Sequence, residues 1–581
     1  MKDQEHFAWV RQKWNEHVRK RGLPTGLEYP HGEVPITRHL EIGANSHPER
    51  PAVNFYGRDV SYRELDEWCN RFAHFLISKG YGRGDCIAIH LYNCPQYLVA
   101  HFGGMKAGCT VVPLDPVWKE IELETPIEDI RPSLIVTQDI NFPVIERVKE
   151  KFEFKYILTT AFRDFLPEQR AFPFPEDIDL AKAECPGALD LVSELEMCSP
   201  ESPGIELKLD DSASLDYTGG TTGRSKGCLH THRGILYTRA CMYTYLGLKT
   251  LTGKPYVQFV PAFHTAGRGL IEGSVMGGMT CVLLTRFDPI ALAVAIPTYK
   301  ASFMWAPSDL YDAIAKLPEE KLAGLDFTSM EILTCTQYNT PISEPLRKRW
   351  AEISNGGVLV DVTYGLTETL SMNTFTYGLQ DVDLKKQEEK GGIFVGLPMP
   401  ETLIKFVDPV KLEILPPNEV GELAIKDPAL SPEYFKREEE TRNLYLEDGF
   451  LLTGDLGMYD EDGFVYYKGR TKEIIKVSGY TVSPREIELI IGRHKDIRSV
   501  AVVGAPDARQ GEIPVAFVVL RPEAVGRTTP DELREWFKDK MSGYKVPKHV
   551  VLKAELPMLL GLKVDRRQLQ REAMDLALRN A

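Results

Sequence analysis

Between Tyr217 and Gly227 the chain reads YTGGTTGRSKG, where Thr218, Gly219, Gly220, Thr221, Thr222, Gly223 and Lys226 set small residues and hydroxyls beside a cation. No helical or alternating apolar period runs through the stretch, and nothing in it can fill a core. Its glycines allow a tight turn and close backbone approach to a ligand. Hydroxyls and backbone N–H groups donate hydrogen bonds, and a lysine ammonium is a point charge suited to phosphate. The stretch is not the common phosphate loop G-x-x-x-x-G-K-[ST], because Arg224 follows Gly223 where that motif has lysine. An anion-holding loop and a plain surface loop both fit these residues.

Further clusters carry candidate chemistry. DVTYGLTET presents Tyr364, Gly365, Thr367 and Glu368 just past an apolar stretch, where a strand would end. Ligands of open α/β sheets bind near such strand ends. Glu368 is the kind of carboxylate that shares Mg²⁺ with substrate phosphates; a solvated loop residue is the other reading. LLTGDLGMYDEDGFVYYKGR supplies Asp455 and Arg470. An acidic side chain can bind both ribose hydroxyls, and arginine a phosphate or the same sugar. YDEDGF within it is also a good hairpin turn. PAFHTAG places His264 beside an aromatic, as a reactive group or as a hydrogen-bonded core histidine. GLKVDRRQLQ sets Lys563 ahead of Arg566 and Arg567, either a solvated basic face or a cation delivered to a site.

The elements around these residues alternate between helical and extended patterns. SYRELDEWCNRFAHFLISKG puts Leu65, Trp68, Cys69, Phe72, Phe75 and Leu76 on one helical face, and Gly80 can end the helix. CIAIHL and CTVVPLD read as buried strands, with QYLVAHFGGMKAG a helix between them. That order implies βαβ units and a largely parallel, covered sheet. After Gly469 the character changes: SVAVVGAPD and EIPVAFVVLRP read as two strands with a short polar connection. TTPDELREWFKDK reads as a helix with Thr529 as N-cap, Pro530 in the first turn and Glu532 closing a capping box. The tail can form a small α+β domain of its own. The join YYKGRTKEIIKVSGY, rich in charge and glycine, reads as a moving linker or an ordinary loop.

With 581 residues the chain can bury the cores of two or more domains, and 43% hydrophobic and 26% charged residues are ordinary for a globular protein. A net charge of -14 argues against a general nucleic-acid binder. The ten cysteines are scattered without a C-x-x-C pair, which fits a reducing compartment. There is no signal-peptide pattern at the start and no run of apolar residues long enough to cross a membrane, so a cytoplasmic location is expected. Peripheral membrane contact and a homodimer stay open.

Taken in order along the chain, these motifs resemble those of the adenylate-forming enzymes: acyl-CoA synthetases, peptide-synthetase adenylation domains and luciferases. The resemblance runs from about residue 30 to residue 570. It implies a large N-terminal domain of mostly parallel sheets with helices, a small barrel-like subdomain, and a small mobile α+β C-terminal domain, here 1–471 and 472–581. YTGGTTGRSKG is similar to the loop that holds the ATP phosphates. YGLTE is similar to the adenine and Mg²⁺ motif, which implies Tyr364 against the base, Thr367 on phosphate and Glu368 on metal. TGD and KGR imply Asp455 on the ribose hydroxyls with Arg470 beside them. GRTKEIIKVSGY resembles the hinge, with Lys472 at the pivot and Lys476 and Gly479 toward the tunnel for coenzyme A. LKVDRRQL resembles the terminal motif whose lysine, here Lys563, assists adenylation. Lys226, Thr367, His264 and Lys563 are then the candidate catalytic residues.

Two places depart from the pattern. A small-residue turn is usual beside adenine and the acyl pocket; Tyr338 and Asn339 stand there, which with His264 are the candidate acyl-pocket residues. Leu562 precedes Lys563 where glycine is usual. The resemblance implies an ATP-dependent acid–CoA ligase forming an acyl-AMP from a hydrophobic carboxylic acid, a medium- or long-chain fatty acid. A ligase for an aromatic or alicyclic acid, an enzyme loading a carrier protein, and a non-catalytic nucleotide-binding protein of the same fold are the alternatives. Retention of Lys226, Glu368, Asp455, Arg470 and Lys563 together speaks against the last.

Overall fold

The computed structural model of the chain describes residues 3–218, 225–337, 342–361, 364–478, 480–507, 509–559 and 563–580. Gly219, Gly220, Thr221, Thr222, Gly223, Tyr338, Asn339, Gly479 and Leu562 lie outside the described residues.

The helix Tyr62–Ser78 buries Leu65, Cys69, Phe72, Phe75 and Leu76 on one stripe, with Trp68 at its margin. Ser61 caps it by accepting from Glu64 N at 3.1 Å. Beyond it Gly80 takes φ +88°, a conformation glycine adopts without a Cβ penalty. The strands Cys86–His90 and Thr110–Pro113 pair in parallel around the helix Pro95–Lys106, the expected βαβ unit. Every residue of that helix is buried, which suits a helix apolar on all sides in the core of a large domain.

Two seven-stranded sheets form the bulk of the molecule. One runs Leu189–Asp190, Tyr156–Thr160, Leu134–Gln138, Cys86–His90, Thr110–Pro113, Ser212–Tyr217, Gly227–Thr231; only the last pair is antiparallel. The other runs Val358–Asp361, Ile332–Thr336, Phe303–Pro307, Pro255–Gln258, Thr280–Leu283, Pro51–Phe55, Arg58–Ser61, again with one antiparallel pair at its edge. A six-stranded antiparallel sheet, from Thr374–Phe375 to Leu403–Val407, stands where the barrel-like subdomain is expected. The helix Asp3–Arg21 lies against it, with Trp14 Nε1 donating to Pro398 O at 3.0 Å and a ring nitrogen of His6 3.1 Å from Ile404 O.

Beyond Lys472 the strands Ile497–Asp507 and Gly511–Leu520 pair antiparallel, and His549–Lys553 adds in parallel. Thr529 and Glu532 form the capping box of the helix Pro530–Lys540. The buried apolar clusters of this part draw only on Ile475 and later residues, and those of the rest only on residues up to Tyr467. The join differs from a loop. Val465–Arg470 is a strand, Thr471–Glu473 a single 3₁₀ turn, and Ile475–Val477 pairs with Tyr480–Val482 as a short hairpin. Val465, Tyr466, Ile475, Val477 and Val482 are spaced to bury as strand residues, a pattern hidden by the charges between them. Lys563 likewise sits on a strand, Lys563–Val564, paired with Met558–Leu559; the basic helix begins only at Arg566. All ten cysteines are free, and no helix among the described residues is long and apolar enough to cross a membrane.

Candidate active site

The strands Ser212–Tyr217 and Gly227–Thr231, which flank the glycine-threonine stretch in the chain, pair antiparallel with Tyr217 opposite Gly227. Thr218 N donates to Lys226 O at 2.9 Å. Thr218 therefore leaves the carboxyl end of a strand whose other neighbour is parallel, the kind of strand end at which ligands of open α/β sheets bind. YGLTE leaves the carboxyl end of Val358–Asp361 in the other large sheet, so both motifs open toward strand ends. Its loop is tightly folded. Asn373 N donates to Tyr364 O at 3.0 Å and Ser371 N to Leu366 O at 2.8 Å. A methyl on Gly365 would fall 2.3 Å from the Ser371 carbonyl carbon, so only glycine fits. Thr367 begins the 3₁₀ turn Thr367–Thr369 and is half-buried.

A residue not singled out in the sequence joins these two motifs. Tyr434 donates its hydroxyl to Glu368 Oε1 at 2.6 Å, and Lys226 Nζ lies 4.7 Å from the centre of its ring. The segment is held beside the hairpin by a bridge between Cys228 and Tyr434 and by Phe435 N donating to Gly227 O at 2.8 Å. SPEYFKREEE reads as a solvated charge run, and the one signal in it is a pair of aromatics ahead of an acidic helix start. Tyr434 has its hydroxyl pushed far up by burial and by Glu368, so it stays a donor. Glu368 fits a Mg²⁺ site in its chemistry: an accessible carboxylate with one oxygen steadied by a hydroxyl. No group of three or more potential metal ligands exists among the described residues.

Asp455 and Arg470 are direct cross-strand partners in the antiparallel sheet, with Arg470 Nε 3.1 Å from Asp455 Oδ1. Tyr364 donates its hydroxyl to Asp455 Oδ2 at 2.7 Å. Burial raises the Asp455 carboxyl above its ordinary value against the pull of Arg470. Thus the YGLTE tyrosine and the TGD aspartate, 91 residues apart, meet in one cleft.

Lys563, in the C-terminal part, is within electrostatic range of the same residues. Solvent reaches its side chain, yet it is flanked closely enough that desolvation, followed by the Arg470 cation, lowers its pKa against Asp455 and Glu473. The same ammonium acts on His264, whose pKa burial first, and then Lys563 and Arg268, pull down to about 4. His264 is therefore a neutral imidazole at pH 7. It precedes the helix Thr265–Met276, and the Thr265 and Ser371 hydroxyls lie 2.8 Å apart, so the PAFHTAG and YGLTE segments touch. Lys472 lies exposed in the 3₁₀ turn, and Lys476 faces outward on the following strand with its N–H on Glu512 Oε2 at 2.7 Å; neither side chain is placed in the cleft by the contacts described.

Beneath the cleft lies a buried ion cluster with no signature in the sequence. Arg268 makes a two-pronged contact with Asp216, 2.7 Å on each arm, and Arg239 Nε is 2.7 Å from Glu272 Oε2. A ring nitrogen of His101 is 2.7 Å from Glu272 Oε1. Asp216 lies in the strand Ser212–Tyr217 and Arg268 just after His264, so the pair fixes that strand to the helix Thr265–Met276.

Known proteins resemble this chain over most of its length. The AMP-binding enzyme family matches residues 40–435, and the AMP-binding enzyme C-terminal domain matches residues 486–559. A long-chain-fatty-acid–CoA ligase of Bacillus subtilis is 31% identical over 568 residues, covering 94% of this chain and 98% of its own. Among solved structures, ATP-bound MatB from Rhodopseudomonas palustris shares the fold with a TM-score of 0.78 at 22% identity, covering 94% of this chain and 100% of that one. The anthranilate CoA ligase AuaEII in complex with anthranoyl-AMP does so with 0.78 at 21% identity, covering 94% and 98%. The chain belongs to the AMP-binding enzyme family, as one of its adenylate-forming acid–thiol ligases.

Proposed function

We propose that the protein activates a medium- or long-chain fatty acid with ATP and transfers the acyl group to coenzyme A, releasing AMP and pyrophosphate. The observation that carries this reading is the contact of Tyr364 and Arg470 with Asp455, and of Tyr434 with both Glu368 and Lys226. The 31% identity with a long-chain-fatty-acid–CoA ligase supports the fatty acid.

The chemistry follows from the side chains. A carboxylate resists attack by a thiol because its leaving group would be an oxide. Its own attack on the α-phosphate of ATP converts that oxide into a phosphate ester and expels pyrophosphate. Two anions meet in that step, so fixed cations and donors are needed where charge builds up. Lys226 and the glycine-threonine stretch suit the β- and γ-phosphates, and Lys563 suits the carboxylate and α-phosphate. Asp455 suits the ribose hydroxyls, with Tyr364 and Arg470 holding its carboxylate in place. His264, neutral, orients without adding charge. Mg²⁺ held at Glu368 would supply Lewis-acid charge to the phosphate oxygens. The units 1–471 and 472–581 are proposed to act as separate bodies about Lys472, in keeping with buried clusters that do not cross it.

The test is turnover of a panel containing octanoate, palmitate and benzoate with ATP, Mg²⁺ and coenzyme A. AMP and pyrophosphate with the fatty acids are expected; ADP, or a preference for benzoate, overturns the reading. Glu368→Ala should lower the rate of acyl-AMP formation by roughly 10²-fold or more, as loss of a transition-state stabiliser commonly does. Calorimetry should show weaker binding of the Mg²⁺–nucleotide complex; unchanged binding and rate would remove Glu368 from the site.

A further inference from the structure

We infer that Arg485 is a positioning residue that holds Lys563 in the cleft, by clamping the C-terminal part onto the carbonyl of Gln337. The inference rests on the proposed role of Lys563 in acyl-AMP formation. Arg485 lies in the first turn of the helix Pro484–Ile491, where Ser483 is the N-cap, and its side chain is buried. Nη2 donates to Gln337 O at 2.9 Å across the boundary between the two parts.

Both ends of this contact are fixed. Gln337 follows the strand Ile332–Thr336, its Oε1 accepts from Ile342 N at 3.0 Å, and its Nε2 bonds to Asp361. The receiving carbonyl is thus pinned at the residue that precedes Tyr338 and Asn339 in the chain. On the other side Nη1 lies 3.3 Å from Glu488 Oε2. Glu488 is itself buried; its Oε1 accepts from Val502 N at 2.8 Å, and Oε2 accepts from Arg566 Nη2 at 2.9 Å. Arg566 also donates to Val502 O at 2.9 Å and stands three residues beyond Lys563 in the chain. A continuous path therefore runs from Gln337 O through Arg485, Glu488 and Arg566 to the strand that bears Lys563. Ser483, which donates to Lys468 O, gives the same helix start a second hold on the N-terminal part.

The chemistry of the contact makes Arg485 specific to position rather than to folding. Glu488 retains Arg566 and Val502 when Arg485 is removed, so the C-terminal core keeps its buried carboxylate paired. What is lost is a charge-assisted hydrogen bond between the two parts, and with it the bias toward the arrangement that presents Lys563.

The test uses the full chain and measures the two half-reactions separately: acid-dependent exchange of pyrophosphate into ATP, and conversion of supplied acyl-AMP plus coenzyme A into thioester. Arg485→Met should slow exchange by about 10-fold, the effect of losing one charged hydrogen bond. Thioester formation from supplied acyl-AMP should stay at the wild-type rate or above it. Arg485→Lys, which keeps the charge and one donor, should recover part of the exchange rate. Equal loss of both half-reactions, or loss of neither, overturns the inference while wild-type exchange still proceeds. Absence of exchange in the wild type with every acid would instead sink the functional reading on which it rests.

Discussion

Lys563→Ala should lose acyl-AMP formation by roughly 10²- to 10³-fold, the usual consequence of removing a preorganised charge from a developing anion. It should still convert supplied acyl-AMP and coenzyme A to thioester near the wild-type rate. The reason lies in the charges each step develops. Adenylation presses a carboxylate against a phosphate, and Lys563 is the cation that the C-terminal part brings beside Arg470 and Asp455. Thiol attack on the finished acyl-AMP makes no such demand. Desolvation and Arg470 lower the Lys563 pKa, so its charge is lost at a lower pH than an ordinary lysine's. A lysine carries its charge below its pKa; exchange should therefore fall as pH rises through that lowered value. Lys563→Arg, which stays charged throughout, should lose that alkaline limb while keeping part of the activity. If Lys563→Ala slows both half-reactions equally, the lysine supports the fold rather than adenylation.

Local rules reach far into this fold. One apolar stripe on Tyr62–Ser78, the paired strands about Pro95–Lys106, and the capping box at Thr529 all follow from neighbouring residues, and the structure contains them. The join after Val465 was illegible because its strands are too short for a period to emerge through the intervening charges. The order of the motifs along the chain points to one site, and the structure brings Tyr364 to Asp455 and Asp455 to Arg470, while the Lys563 charge acts on His264. Tyr434 escapes sequence reasoning because its value comes from a contact with Glu368, 66 residues away, while its neighbours look like solvated charge. Arg485 escapes for the same reason: a guanidinium at a helix start reads as surface until the partner carbonyl, 148 residues away, is known.

The ion cluster under the cleft is the least legible part and carries the other large effect. Arg268→Met should destabilise the protein by about 3–5 kcal/mol, the range for removing one member of a buried ion pair. Asp216, Glu272, Arg239 and Arg268 are all buried, and their charges balance, two acids against two guanidiniums. Burial alone would raise the Asp216 pKa, yet Arg268 chiefly, with His230 and the Ser214 hydroxyl, holds it below the ordinary value. Glu272 is likewise held at about 2 against its burial, by Arg239, His101 and Arg268. A carboxylate whose folded pKa is depressed contributes stability above its unfolded pKa, and that contribution is lost as pH falls through the folded value. Methionine fills much of the space of Arg268 but strands Asp216 as a charge, so the Asp216 pKa must climb in the variant. The stability gap between wild type and Arg268→Met, measured by urea unfolding, should then be widest near pH 8 and narrow toward pH 5 as Asp216 takes up a proton. Arg268→Met combined with Asp216→Asn should recover much of the loss at pH 8, because no unpaired charge remains. A gap independent of pH, with no recovery in the double variant, would mean that Arg268 acts by packing alone. The electrostatic link between the phosphate hairpin and the helix behind His264 would then have to be abandoned.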